Sequence, residues 1–299
     1  MKMKIGLIDV DGHNFPNLAL MKLSVWHKQQ GDDVEWWVGL KHYDRVYQAK
    51  VFDETYSKDN DFVVMADKVI KGGTGYDLQN KLPDEVEHIM PDYGLYGITD
   101  TAYGFLTRGC PRGCPFCIVK PKEGGRSVKV ADLSEWWDGQ KNIVLMDSNM
   151  TACKDADELF RQLADSGAKV EFNQGIDARL ITKKQCEILN RTKLERVHFA
   201  WDNYEFNTFD KLKQVREWLK LGQRRMIVYV LTNYNTTHAE DLERVMLLRE
   251  IGYDPFVMVY DKPHAPKVTR HLQRWCNNKY IFWATENFNE YWRRKDEQD

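Results

Sequence analysis

The sequence predicts an α/β chain in two parts. A small doubly wound α/β domain comes first, and a partial, parallel (β/α)6 barrel of the TIM type follows it. Three observations carry this reading. Apolar runs with strand spacing alternate with runs of helical spacing along most of the chain. A polar stretch from Leu82 to Gly97, broken by Pro83, Pro91, Gly94 and Gly97, separates the two parts. Six strand–helix units follow it with few breaks, and such units close into a right-handed parallel array. The boundaries expected are 1–90 for the first domain, 91–101 for a linker, 102–262 for the barrel and 263–299 for a C-terminal extension.

The first domain opens with Lys4 to Val10, a strand pattern with Ile5, Leu7, Ile8 and Val10 apolar. Asn17 is placed to cap a helix whose residues Leu18, Met21 and Val25 share a face, and Gly31 ends it. Further strands are expected at Asp33–Val38, at Arg45–Phe52 and at Phe62–Met65, followed by Gly72-Gly73-Thr74. In the barrel, strands are expected near 103–107, 142–147, 168–173, 195–200, 225–231 and 255–260. Thr182-x-x-Gln185 and Thr237-x-x-Glu240 each read as a capping box ahead of an amphipathic run. Leu159, Phe160 and Leu163 share one helical face, as do Leu212, Val215 and Leu219.

Composition narrows the class. Of 299 residues, 42% are hydrophobic and 29% charged, as in a globular protein. No apolar run is long enough to span a bilayer, so no membrane partner is expected. The N-terminus enters a strand pattern at once, and no signal peptide is expected. A net charge of −2 gives no bulk electrostatic reason to bind nucleic acid. Cysteines without scaffold-like spacing imply a reducing, cytoplasmic setting.

Chemistry concentrates in Gly104 to Val119. Cys110, Cys114 and Cys117 stand in C-x3-C-x2-C spacing, and Gly109, Pro111, Gly113 and Pro115 keep the stretch out of a regular helix. A loop of this kind can turn three thiolates toward one cluster. A zinc knuckle normally shows C-x2-C pairs and a fourth Cys or His at matching spacing. No second pair exists, and Cys153, Cys186 and Cys276 stand alone and are expected to pack as small apolar groups.

Cys110, Cys114 and Cys117, with Phe116 just before the last of them, resemble the C-x3-C-x-aromatic-C signature of the radical SAM superfamily. The resemblance covers roughly residues 100–260. It implies a [4Fe-4S] cluster on the three cysteines, with S-adenosylmethionine (SAM) chelating the fourth iron, and reductive cleavage of SAM as the first step. It also implies an electron donor such as flavodoxin or ferredoxin, and it leaves the substrate unknown.

Residues leaving the carboxyl ends of the strands are then candidates for SAM contacts. Asp147 follows the second strand, where the family carries a motif for the SAM amino group. Arg179, after the third, is placed to pair with the SAM carboxylate, with Asp177 orienting it. Asp202, after the fourth, is placed to accept a ribose hydroxyl. Phe116, Asp147, Arg179 and Asp202 are thus the cofactor-binding candidates; the alternative for such strand-end groups is capping of loop amides. Tyr234 and Tyr260 are placed to line a substrate pocket or to pack in a core or lid.

The N-terminal layout resembles a reduced or degenerate cobalamin-binding (B12-binding-like) domain of one radical SAM class. Asp11-x-His13-x-x-Pro16 matches D-x-H-x-x-G except at its last position. Gly72-Gly73-Thr74 matches the glycines that admit the cofactor's tail. Pro16 locks φ where that pattern has glycine, so cobalamin is possible but not favoured, and His13 is not expected to ligate cobalt. The alternatives are a cobalamin-dependent radical SAM methyltransferase and a non-catalytic iron–sulfur or zinc module. Methylthiotransferase relatives carry three further cysteines in the N-terminal domain, and this chain has none before Cys110. Lys267, Arg270, His271 and Arg274 near the C-terminus read as a solvated basic face, and Arg293–Lys295 add a second basic run.

Overall fold

The computed structural model describes residues 2–59, 62–174 and 176–296. The chain divides into two compact units, with the break between Val144 and Leu145.

The first unit begins with β1 (Lys4–Asp9), α1 (Leu18–Gln29), β2 (Asp33–Trp36), β3 (Tyr43–Ala49) and β4 (Ala66–Gly72). These strands form a parallel sheet in the order β2-β1-β3-β4. The order reverses between β1 and β3, which makes the carboxyl ends of those two strands a topological switch point. α1 joins β1 to β2; among the described residues, no helix lies between β2 and β3 or between β3 and β4. Asn17 caps α1, accepting from Leu20 N at 3.3 Å, and Gly31 leaves it at φ +84. Ile5, Leu7, Leu20, Leu23 and Tyr47 pack one core layer. The strand expected at Phe62–Met65 lies instead at Ala66–Gly72. There the alternation is weak because the edge strand is largely solvent-facing, so the periodic signal that the reading relied on is missing.

The short α2 (Asp84–Glu87) precedes β5 (Thr101–Gly104), β6 (Thr107–Arg108), α3 (Val119–Glu123), β7 (Val128–Lys129) and β8 (Asn142–Leu145). The strand expected at 103–107 is thus divided. The indole of Trp136 lies where a side chain on Gly104 would sit: a Cβ there would be 2.3 Å from the ring. The chain turns beyond Gly104, and Thr107–Arg108 pairs antiparallel with Val128–Lys129 as a separate ribbon.

The second unit continues with α4 (Ala156–Ser166), β9 (Lys169–Phe172), α5 (Lys183–Leu189), β10 (Lys193–Ala200), α6 (Phe206–Trp218), β11 (Met226–Thr232), α7 (His238–Glu250) and β12 (Asp254–Val259). It ends with α8 (Lys267–Asn277), α9 (Lys279–Ala284) and α10 (Phe288–Asp296). The large sheet has the order β12-β11-β10-β9-β8-β5, with consecutive strands as neighbours. The pairs from β9 to β12 are parallel and separated by one helix each. This is the topology expected of a partial (β/α)6 barrel.

Both capping boxes form, with Thr182 and Thr237 each exchanging hydrogen bonds with the residue three positions on. The predicted apolar faces are the buried ones: Leu159, Phe160, Leu163, Leu212, Val215 and Leu219 are all 1% exposed or less. On α8, Lys267, Arg270 and Arg274 are exposed and His271 half-buried, while Leu272, Trp275 and Cys276 are buried. The side chains of Arg293–Lys295 lie outside the described ones. Among the described residues, no helix is long and apolar enough to cross a membrane.

Candidate functional site

The cysteine loop is held at its two ends by one acid. Glu123 accepts from Arg108 Nη1 at 2.8 Å through one carboxylate oxygen and from Gly109 N at 3.0 Å through the other. Cys110 N donates to Gly124 O at 3.2 Å, which ties the first cysteine to the end of α3. Cys117 N donates to Cys114 O at 3.0 Å, which closes a tight turn between the second and third cysteines. Gly109 sits at φ +89, and a Cβ on it would be 2.1 Å from Arg126 O. No side chain fits there, and the glycine lets the strand leading into Cys110 lie against the returning backbone.

Cys110, Cys114, Cys117 and Phe116 are all half-buried. From Gly104 to Arg126 the chain carries five cations, Arg108, Arg112, Lys120, Lys122 and Arg126, against one acid, Glu123. Burial lowers the pKa of Lys122, and the nearby Arg108 adds to the effect; its Nζ donates to Thr74 Oγ1. Three cysteines on one braced loop are the donor type that an iron–sulfur cluster takes. Among the described residues, no three His, Cys, Asp or Glu side chains converge on a single-ion site. A cuboidal cluster does not need such convergence, because each thiolate meets its own corner iron.

The strand-end candidates of the second unit form their own group. Asp147 and Asn149, after β8, are 1% and 3% exposed. Thr151 Oγ1 donates to Asn149 Oδ1 at 2.9 Å and accepts from Asp177 N at 3.1 Å, so the loops after β8 and β9 are joined. Asp177 and Arg179 pair as expected: Nε to Oδ1 is 2.8 Å and Nη2 to Oδ2 is 3.3 Å. Asp177 Oδ1 also accepts from Arg179 N at 3.0 Å, so the loop fixes the guanidinium that it carries. Asp202 follows β10. Burial pushes its carboxyl up to about 6, the charges of Arg179 and Arg244 oppose that rise, and Asp177 adds to it. Asp202 therefore answers electrostatically to both residues of the β9 loop.

Sequence reasoning missed Arg244. This guanidinium on α7 is fully buried. It donates to Trp201 O at 2.5 Å, to Leu231 O at 2.7 Å and to Asp241 Oδ1 at 2.6 Å, holding the ends of β10 and β11 beside Asp202. Its sequence signal was an Asp241–Arg244 pair at i, i+3, which reads equally as a surface pair. Glu123 was missed too, although it is the only acid in a basic stretch.

Cys153, Cys186 and Cys276 are at most 5% exposed. Burial pushes the Cys186 and Cys276 thiols up to about 12.

At the switch point of the first unit, His13 is exposed, with its ring stacked on Trp36 at 4.1 Å and edge-on to Tyr96 at 5.6 Å. Pro16 is buried beside the cap of α1. Gly73, at φ +96, has Lys50 O 2.3 Å from where its Cβ would be, so this glycine serves the close passage of the chain past β3. A Cβ on Gly72 would meet nothing within 4 Å. Lys50 itself is fully buried, paired with Glu54 and with Asp59 at 3.0 Å, and its Nζ lies 4.4 Å from the centre of the Tyr76 ring.

The fold is similar to that of a radical S-adenosylmethionine methyltransferase. Two solved structures show the likeness, both of TsrM from Kitasatospora setae, a radical S-adenosylmethionine methyltransferase. The one with cobalamin and a [4Fe-4S] cluster bound matches with a TM-score of 0.61 at 10% identity, covering 87% of this chain and 75% of that one. The one with tryptophan substrate and the SAM analogue aza-SAM bound matches with a TM-score of 0.59 at 10% identity, covering 86% and 72%. No family model and no curated protein sequence matches the chain.

Proposed function

We propose that the chain is a radical SAM enzyme acting on a substrate still to be identified. The observation that carries this reading is the braced three-cysteine loop between β5 and β8, the first two strands of the large sheet in chain order. Cys110, Cys114 and Cys117 would hold a [4Fe-4S] cluster, which when bound supplies one electron for reductive cleavage of SAM. Glu123 and Gly109 fix the loop. Arg179, held by Asp177, would bind the SAM carboxylate; Asp202 would accept from the ribose. Asp147, nearly fully buried, would orient the amino group, and Phe116 would pack against the cofactor beside the third cysteine. An electron donor such as flavodoxin or ferredoxin is implied.

The test is anaerobic reconstitution with iron and sulfide, followed by dithionite and SAM. The expected result is four irons per chain, a count set by one cubane, and release of 5′-deoxyadenosine. Replacing any one of the three cysteines with Ala should abolish both. A triple mutant that keeps its iron would overturn the ligand assignment, and iron-loaded protein that leaves SAM intact would overturn the activity.

A second reading, a cobalamin-dependent methyltransferase, is favoured by one observation. The order β2-β1-β3-β4 puts the loops after β1 and β3 at a switch point, where such sheets bind cofactors. Against it, the Gly73 cradle is filled by the backbone of Lys50. Stoichiometric corrinoid retained through gel filtration, with a spectral change on His13→Ala, would make this the leading reading.

A further inference from the structure

The sheet strands of the second unit have two unlike faces. On one, Phe172 meets Phe160 of α4, Trp201 stacks on Phe209 of α6, and Phe199 meets Tyr253. That face is the core beneath the helices. Successive strand side chains point to opposite faces, so the other face is carried by the alternate residues. On it, the ring of His198 stacks on Tyr229 with centroids 5.1 Å apart and planes 9° from parallel. Tyr229 meets Phe256 edge-on at 5.8 Å. Toward the carboxyl ends of β11 and β12, Tyr234 and Tyr260 meet edge-on at 4.9 Å.

Ile227 and Leu231 on this face are buried, but toward the carboxyl ends of β11 and β12 the face opens. Met258 is 45% exposed, Tyr260 44% and Tyr234 36%, whereas Val257 of the opposite face is fully buried. Three large apolar or aromatic groups at strand ends thus stay open beside a half-buried tyrosine.

His198 gives the face its polarity. Its Nδ1 lies 2.6 Å from Phe172 O, a carbonyl that can only accept, so Nδ1 carries the proton. In the neutral ring Nε2 is then a bare acceptor, and it has no partner among the described residues. Burial, with Arg196 nearby, lowers the pKa of His198 and keeps the ring neutral at pH 7. A ring 5% exposed, with its tautomer fixed by backbone, offers one directed lone pair.

We propose that this face binds the substrate, and that the substrate is a flat aromatic molecule bearing an N–H or O–H donor. The donor bonds Nε2 of His198, and the ring packs along this face against Tyr229 toward Met258. The inference rests on the radical SAM reading for the word substrate; the binding itself does not depend on SAM cleavage. It names a specificity residue, His198, that the cysteine loop and the strand-end acids do not supply.

The experiment uses two probes of nearly the same shape, 2-naphthol and 2-fluoronaphthalene, of which only the first has a donor. Binding to the full chain is measured by saturation-transfer NMR titration. The naphthol should bind about tenfold tighter, the worth of one hydrogen bond into a buried site. In His198→Phe, which keeps a ring on Tyr229 and loses the acceptor, the two probes should bind within about twofold of each other. In 15N-histidine-labelled wild type, the Nε2 resonance of His198 should move on adding 2-naphthol and stay in place with 2-fluoronaphthalene. Equal affinities in the wild type, no binding of either probe, or unchanged discrimination in folded His198→Phe would overturn the proposal. If that variant does not fold, the wild-type pair of affinities and the Nε2 resonance decide. SAM cleavage is assayed separately: its loss with probe discrimination intact counts against the radical SAM reading alone, and the reverse outcome counts against this inference alone.

Discussion

Gly109→Ala is the sharpest test of the cysteine loop. The residue has φ +89, and the added Cβ would stand 2.1 Å from Arg126 O and 3.1 Å from its carbonyl carbon. That is roughly 1.4 Å inside the ~3.5 Å at which non-bonded atoms pack best. Backbone strain at such φ costs on the order of 1–3 kcal/mol for a non-glycine residue. Relief of the clash requires the strand to part from Arg126, which breaks the Gly109 bond to the Glu123 carboxylate and the Cys110 bond to Gly124 O. Those losses add about 2 and about 1 kcal/mol. The sum, roughly 4–6 kcal/mol, falls on the segment that presents the first cysteine. Gly139→Ala is the control. It has nearly the same φ, +83, but nothing lies within 4 Å of its Cβ position. The assay is iron and sulfide per chain after anaerobic reconstitution, with circular dichroism to confirm the fold. Gly139→Ala should keep its iron and Gly109→Ala should lose most of it. A Gly109→Ala protein with wild-type iron and SAM cleavage would refute the idea that this close approach shapes the cluster loop.

Other predictions follow from the second unit and from α1. Arg179→Ala should weaken SAM binding about 10–100-fold, the worth of a charge-assisted pair of roughly 1.5–3 kcal/mol, with iron content unchanged; equal affinity would remove Arg179 from the site. With its carboxyl raised to about 6 from 3.8, Asp202 favours the folded apo protein below the unfolded value and loses that contribution as pH rises through 6. SAM affinity should rise over the same interval as the carboxylate forms, and Asp202→Asn should flatten both dependences; an unchanged pH profile would show that another group titrates. Arg244→Met should lower stability to denaturant by about 3–5 kcal/mol, since it strands the buried Asp241 and two strand-end carbonyls. His27 is fully buried, with Nδ1 2.7 Å from Asp32 and Nε2 3.0 Å from Tyr47 Oη. Burial lowers its pKa below 6.5, so the unfolded chain binds more protons there and stability should fall as pH drops through that region. His27→Gln should lessen the acid slope, and an identical slope would exclude the imidazole as its source.

Much of this protein is legible in the sequence because the signals are local. Asn17, Thr182 and Thr237 start helices with short-range hydrogen bonds that need no tertiary partner, and all three form where the residue types place them. The spacing of Cys110, Cys114 and Cys117 lies within eight residues, a length that a single loop fixes. The alternation of β9 to β12 with their helices follows from apolar periodicity, and it carries the barrel topology with it. What tertiary structure alone decided depends on residues far apart in sequence. Position 104 needs a glycine because Trp136 occupies its Cβ position, and β4 is a strand because β3 gives it partners, not because its own residues alternate. Arg244 looks like a surface residue of α7 until β10 and β11 bring two carbonyls to it. His198 is one polar residue between Val197 and Phe199 until the backbone of Phe172, 26 residues earlier, accepts a hydrogen bond from its Nδ1. Propensity and spacing act over a few residues, whereas burial, protonation and the direction of a lone pair are set by whatever the folded chain puts alongside.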